Sequence, residues 1–475
     1  MGYIQGRGRE ERTLFPEALD DYVLADNPAR VIDLFVDAQN LKELGFERAE
    51  AAVRGRPGYD PRCLAKLYIY GYLNRVRGSR MLEREAARNI EVLWLLGMLK
   101  PDFKTIADFR KDNREAIQGL CRQFTLFCAR QGLIKGELVA IDGSKFKASN
   151  SAARHISEGK LKAQIAALEK RTEQYLQDMD QADAVDPGVA SSEEVQQALA
   201  KLRERKQEME QRLKDLSESG KTQESLTDKD ARSMKSGMHE ALIGYNIQTA
   251  VDAEHKLIVA HEVTNEGNDR NQLSEMAQQA KEILEREALD VVADTGYANA
   301  SQVAQCEAQH ITVYLNPPRY GDNEQRGLYG KHRFRYDEAR DAYRCPAGLW
   351  LIYSSTSKHN GSDVRLYRTS ACGSCAQRSN CTSAKERGRV ITRPVDQAAL
   401  DRAAQRAKQR PDIMRQRKCV VEHPFGTIKR IWGYGQFLMR GFDNVRTELS
   451  LAVLCYNLRR VMSIMGTKQL IAALE

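Results

Sequence analysis

Residues 138–144, LVAIDGS, and residues 291–296, VVADTG, decide how this chain folds. Each is a short apolar run ending in an aspartate, Asp142 or Asp294, with a glycine close behind. An unbroken apolar run of this length predicts a strand buried on both faces, and the glycine predicts a sharp turn just past the acid. Both aspartates are thus expected at strand ends, where sheets covered by helices gather their active sites. A third carboxylate comes from residues 402–432, RAAQRAKQRPDIMRQRKCVVEHPFGTIKRIW. Between Arg402 and Arg430 this stretch holds nine Lys or Arg against two acids, Asp412 and Glu422. If it is helical, Arg415, Lys418, Glu422 and Lys429 follow at offsets of three, four and seven and share one stripe. Pro424 disfavours helix at His423 and predicts a kink there or the start of a second helix. A carboxylate among cations suits a group that holds a metal while its neighbours hold phosphates. An exposed basic helix with Glu422 in intrahelical ion pairs is the plainer alternative.

Ahead of the first strand, residues 1–135 read as helical. Asn27 and Pro28 make an N-cap and a first helical position. The run from Pro61 has apolar spacing at 64, 67, 68 and 72 and leads into Arg75, Arg77, Arg80, Arg84 and Arg88. Arginines interleaved on short helices suit contact with DNA phosphates first and base edges second, with Thr105–Lys111 as the start of a recognition helix. A solvated arginine face is as ordinary an account. Between the two Asp strands come a helical hairpin over residues 155–217, turning at DAVDPGVASS with Ser191 and Glu194 as a capping box, then strands at Ile243–Val251 and Leu257–Thr264 and a helix near Asn271–Glu287. Asp228 and Asp230 have no strand before them and read as capping or salt-bridge groups. The long interval between Asp294 and Glu422 implies an insertion. There, residues 320–395 show short alternating runs and Cys345, Cys372, Cys375 and Cys381. One C-x2-C pair with two outlying cysteines predicts a structural zinc site, with His332 or His359 as substitutes. Reduced thiols packed as small apolar groups are the alternative.

IDGSKFKAS from Ile141, VADTGYAN from Val292, VEHPFGTIKRIWG from Val421 and FLMRGFDNVRTELSLAVLCYNLRR from Phe437 resemble the acidic motifs and C-terminal signature of bacterial insertion-sequence transposases of the DDE type. The stretches from Phe15 to Asp37 and from Leu67 to Gly97 resemble that family's leading domain, so the resemblance covers nearly the whole chain. It implies an α/β fold: a ribonuclease H-like mixed-sheet core (136–319 and 396–465), an all-α N-terminal DNA-binding domain (1–135), the hairpin insertion and the small β-rich insertion bearing the cysteines. It also implies Asp142, Asp294 and Glu422 as catalytic ligands of Mg²⁺ or Mn²⁺, two ions per active site. The expected chemistry is hydrolysis at element ends followed by attack of the freed 3′-hydroxyl on target DNA. Lys429, with Lys418, Arg430 and Arg415 nearby, is expected to contact DNA. Trp432 would stack on an unpaired base, or simply fill the core. Related transposases often carry Tyr-x2-Arg-x3-Glu-x6-Lys around the third acid. Here Glu422 and Lys429 keep their spacing, but Arg415 and Lys418 stand at the first two positions, so Arg415 inherits no role from the missing Tyr.

The 475 residues suffice for two or three domains, and 73 Lys and Arg against 65 Asp and Glu leave a formal charge of +8, modest but suited to a polyanion. A polar N-terminus and the lack of any run of 18 apolar residues lead us to expect a soluble, intracellular protein with its ten cysteines reduced or ligating metal, and the resemblance implies the bacterial cytoplasm, at the nucleoid. Double-stranded DNA is the expected partner, and pairing of two element ends implies a homodimer. Three other functions compete. The Asp294-Thr-Gly triplet of an aspartic protease needs a second such loop, which Asp142-Gly-Ser does not supply. The others are a metal-dependent nuclease that cuts without joining, and a DNA-binding relic without chemistry.

Overall fold

A computed structural model of the chain describes residues 18–51, 57–151, 154–185, 193–236, 240–317, 322–359, 362–384 and 387–475. Helices α1 (Pro28–Asp37), α2 (Pro61–Leu73), α3 (Ser79–Arg88), α4 (Ile90–Leu95), α5 (Phe103–Asp112) and α6 (Arg114–Arg130) precede the first strand. The Asn27 side chain accepts the Ala29 amide at 2.8 Å and Pro28 takes the first helical position of α1. Asp102 caps α5, so Thr105–Lys111 is the body of that helix rather than its start. Arg110 is buried over the ring of Tyr68, 5.3 Å from its centroid, which removes it from any DNA-facing role.

Strand β1 (Leu138–Lys147) is followed by a ribbon of β2 (His155–Ser157) and β3 (Gln223–Ser225) that carries the helix pair α7 (Glu158–Val185) and α8 (Glu193–Glu218). The expected capping box at Ser191 lies outside the described residues, as does most of the turn. Next come β4 (Arg232–Ser236), β5 (Glu240–Asp252), β6 (Ile258–Thr264), α9 (Leu273–Ile283), β7 (Leu289–Ala293), α10 (Ala300–Ala308), β8 (Ile311–Leu315) and the short α11 (Asp322–Gln325). Strands β9 (Arg335–Asp337), β10 (Ala342–Arg344), β11 (Trp350–His359), β12 (Ser362–Arg368) and β13 (Ile391–Pro394) form a second, fully antiparallel sheet with its own small core around Phe334, Leu351 and Tyr367. Helices α12 (Gln397–Gln409), α13 (Pro411–Phe425), α14 (Phe442–Met465) and α15 (Thr467–Leu474) end the chain.

The main sheet runs β6-β5-β1-β7-β8, with β4 pairing a further stretch of β5. β1, β7 and β8 are parallel, and β5 is antiparallel to both its neighbours β1 and β6. The strand carrying Asp142 does not stop at the acid, contrary to the expectation from Gly143. Its antiparallel partner β5 is long enough to keep pairing as far as Lys147 opposite Gly244, whereas the parallel partner β7 stops pairing at Ala140.

Helix α14 is buried on every side from Thr447 to Leu458, as an all-round apolar sequence requires. It packs on α2 and α6 on one side and on β6 on the other, so one continuous core takes in Tyr68, Phe124, Ile141, Val292 and Leu454. The buried Asn457 is satisfied by the backbone of Ile258 on β6, at 2.9 Å to its amide and 2.8 Å to its carbonyl. Among the described residues no helix is long and apolar enough to cross a membrane.

Candidate active site

Leu138–Ala140 of β1 lie opposite Asp290–Val292 of β7, and Asp142 and Asp294 both stand just past the same end of that ladder. Side chains alternate along a strand, so Asp142 and its cross-strand partner Thr249 face one side of the sheet, while Gly143 and its partner Gln248 face the other. On the first side lies α13, whose Arg417 brings Nη1 to 3.9 Å from Asp142 Oδ1. Burial pushes the Asp142 carboxyl up to about 6. The Arg417 guanidinium pulls it back, and the negative charge of Asp294 adds to the rise, so the two acids share one electrostatic neighbourhood. Asp294 is fixed by its own turn, its Oδ1 accepting the Gly296 amide at 2.7 Å.

Glu422 does not join them. Five residues separate it from Arg417, which on an α-helix is about 140° of rotation, so with Arg417 turned to Asp142 the glutamate points away. Its side chain is 64% exposed and pairs with Lys418 at 3.8 Å, the ion pair that the plainer alternative anticipated. Among the described residues no group of three or more His, Cys, Asp or Glu side chains is arranged to hold a metal ion.

The single stripe from Arg415 to Lys429 is also corrected. Pro424 neither ends nor visibly breaks α13. It offers no amide hydrogen, and the ladder widens just after it into a π-helical turn, Gly426–Ile431, in which the Trp432 amide reaches the Thr427 carbonyl at 2.9 Å. This wider turn carries Lys429 inward, where Nζ donates to the Lys145 carbonyl at 2.6 Å and to Ser144 Oγ at 3.3 Å and burial lowers its pKa. Lys429 therefore braces β1 beyond Asp142. Trp432 is 5% exposed and packs edge-on against Tyr434, so the base-stacking role is replaced by a core role. Arg415, Lys418 and Arg430 remain exposed.

Of the N-terminal arginines, Arg77 is committed to the protein itself, with Nη1 at 3.0 Å from the buried Glu448 and 3.1 Å from the Gln436 carbonyl. Arg88 pairs with Glu85, and Arg80 lies over Phe103. Asp228 and Asp230 accept the Gly441 and Phe442 amides at the start of α14, at 3.2 and 3.1 Å.

In the second sheet, Cys345, Cys372, Cys375 and Cys381 line a single cavity of about 20 Å³. Gly348, at φ +81°, closes the turn that presents Cys345. Burial raises the Cys381 thiol, with Arg389 opposing and the three other cysteines adding to the rise. The sulfurs share this cavity without forming an ion-holding set. His332 pairs instead with Glu324 at 3.1 Å, and the His359 side chain lies outside the described residues.

Neither Arg417 nor Asp269 was singled out from the sequence. The first hides in a basic run beside Lys418, and the second lies in a polar stretch, NEGNDRNQL, that reads as a loop before α9.

Two family models match the chain. "Transposase domain (DUF772)" matches residues 17–112, and "Transposase DDE domain" matches residues 344–462, a span that includes Glu422 but neither aspartate. No curated protein matches. A cryo-EM structure of the piggyBac transposase synaptic complex with hairpin DNA aligns over 94% of this chain and 79% of its own, at 8% identity and a TM-score of 0.27, a likeness too slight to argue from. With a transposase model matched towards either end, the two matches support a transposase of the DDE type.

Proposed function

We propose that this chain binds the ends of a bacterial insertion sequence, hydrolyses phosphodiester bonds there with divalent cations, and transfers the freed 3′-hydroxyls into target DNA. The observation that carries this reading is the meeting of Asp142 and Asp294 past one end of the β1/β7 ladder, beneath the cation-rich helix α13. The strand order β6-β5-β1-β7-β8, with β5 antiparallel to a parallel trio, supports a ribonuclease H-like core over residues 136–319 and 396–465. The two aspartates suit a hard divalent cation, since neighbouring carboxylates resist ionisation together until positive charge neutralises them. Glu422 as placed does not fit that set, and its part as third ligand is a proposal from the motif alone. Asp142 and Asp294 would hold such cations, Mg²⁺ or Mn²⁺, two per site, which when bound would supply activation of the attacking oxygen and stabilisation of the leaving one.

The chain's own side chains supply the rest. Arg417 offsets the charge of Asp142, Lys429 holds β1 in place, and the exposed Arg415, Lys418 and Arg430 are positioned for backbone phosphates. A homodimer pairing two element ends in the bacterial cytoplasm completes the proposal. Labelled duplex ends incubated with purified protein and Mn²⁺ are expected to yield cut and joined products, and an Asp142→Ala variant none. Cut ends that never join would identify a nuclease, and wild-type protein without metal-dependent cutting would refute both.

A further inference from the structure

On the side of the sheet opposite Asp142, one acidic side chain occupies the space that glycine leaves. A Cβ built on Gly143 would stand 2.6 Å from Asp269 Oδ1 and 2.5 Å from Gln248 Nε2, far inside contact distance, so Asp269 presses against the backbone of the residue that follows Asp142. Asp269 Oδ1 accepts two hydrogen bonds from β5, from Asn246 Nδ2 at 2.7 Å and from Gln248 Nε2 at 2.8 Å. The other end of the Gln248 amide accepts the hydroxyl of Tyr297, which is buried in the turn that follows Asp294. Asp269 Oδ2 meanwhile lies 3.7 Å from the Cβ position of Gly296, the residue whose amide Asp294 holds. One carboxylate therefore touches the backbone that carries Asp142 and, through one amide and one phenol, the turn that carries Asp294.

We infer that Asp269 is a positioning residue for the Asp142–Asp294 pair: by gathering Asn246 and Gln248 beneath Gly143 and by fixing Tyr297 through Gln248, it sets the separation of the two carboxylates that take the divalent cation. The inference rests on the proposed cation-dependent function. Its geometry is that of an outer partner orienting an inner ligand, and loss of such partners typically weakens metal affinity by about 10–100-fold. Strand alternation puts the Gly143 face, where Asp269 sits, opposite the Asp142 side chain, so Asp269 acts on Asp142 through its neighbours and through its negative charge, which adds to the rise of the Asp142 carboxyl.

The test is Mn²⁺ binding to metal-free full-length protein by titration calorimetry, beside unfolding measured in chelator. Asp269→Ala is expected to bind Mn²⁺ at least about tenfold more weakly than wild type. Asp269→Asn, which keeps an acceptor oxygen for both amides, is expected to stay within about threefold. Wild-type affinity in Asp269→Ala overturns the inference. So does an equal loss in Asp269→Asn, which would make the carboxylate a direct ligand. Should Asp269→Ala fail to fold, Gln248→Leu reads the same link, and unchanged affinity there is equally fatal. Failure of the functional reading itself looks different: the wild type binds no Mn²⁺, or Asp142→Ala binds it as well as the wild type.

Discussion

Replacing Asp142 by Asn should stabilise the metal-free protein, because the charge that serves the site is costly to bury. Burial raises this carboxyl from 3.8 to about 6, and its side chain is 24% exposed. The folded state thus binds the Asp142 proton more tightly than the unfolded chain does, so stability falls as pH rises from near 4 to above 6. Raising the carboxyl from 3.8 to about 6 amounts to a penalty of about 3 kcal/mol at pH 8, nearly absent at pH 4. Asn removes the charge at almost constant volume but leaves Arg417 without its partner at 3.9 Å, which offsets part of the gain. In chelator, Asp142→Asn should therefore unfold at higher denaturant than wild type at pH 8, by about 1–3 kcal/mol, with the difference closing at pH 4. Saturating Mn²⁺ should reverse the order by stabilising only the wild type. A variant that is less stable at pH 8, or a difference that ignores pH, would refute the account of a strained, desolvated acid.

Further outcomes follow from other parts of the molecule. His261 meets Ser450 Oγ at 2.8 Å, and burial lowers it to about 4, so stability present above pH 6.5 should drain away towards pH 4 by up to about 3 kcal/mol; a His261→Gln variant should lack that slope in acid-unfolding curves. Elemental analysis of protein purified without chelator is expected to give well under one zinc per chain, because the four thiols share their cavity without forming an ion-holding set; a content near one that falls in Cys372→Ser would overturn that placement. Replacing Lys418 and Arg430 together by Ala should weaken binding to DNA of any sequence and flatten the log–log salt dependence by about two, with unchanged stability. A retained slope would show that neither side chain meets a phosphate.

The sequence shows the sheet more clearly than the site, for reasons visible at single residues. Apolar runs mark β1 and β7 because strands buried on both faces must be apolar throughout, and the Asn27–Pro28 pair marks α1 because capping is local chemistry. Where β1 ends is not legible in the sequence because it depends on how far β5 pairs, which no local signal at Gly143 records. That glycine is there for a close approach by Asp269, not for a turn. The stripe through Glu422 and Lys429 assumed one helical period, and a π-turn after Pro424 changed the period. Charge alone could not separate Arg417, turned to Asp142, from Lys418 one residue later, turned to solvent, because the helical phase is set by tertiary packing. Likewise Arg77 looks like any other arginine of its series until Glu448, far along the chain, is seen beside it.

That last pair links the N-terminal helices to the strand of Asp142. Glu448 is 2% exposed on α14 and accepts the amides of Leu438 and Met439 as well as Arg77. Those amides end the segment Gly435–Phe437 that grips β1, with the Lys147 amide donating to the Gly435 carbonyl and the Phe437 amide to the Lys147 carbonyl, both at 2.9 Å. Arg77 holds the Gln436 carbonyl of the same segment and lies over Tyr434 at 4.1 Å. Glu448→Ala would leave two amides without an acceptor and the nearly buried Arg77 charge with only the Gln436 carbonyl and the Tyr434 ring, and breaking a buried pair from one side costs about 3–5 kcal/mol. If the linkage is as drawn, Arg77→Ala and Glu448→Ala each destabilise strongly, while the double variant loses less than their sum, because the second deletion removes a charge already stranded. Additive losses would mean that Glu448 matters only to its own loop, and that the N-terminal helices and the Asp142 strand communicate by apolar packing alone.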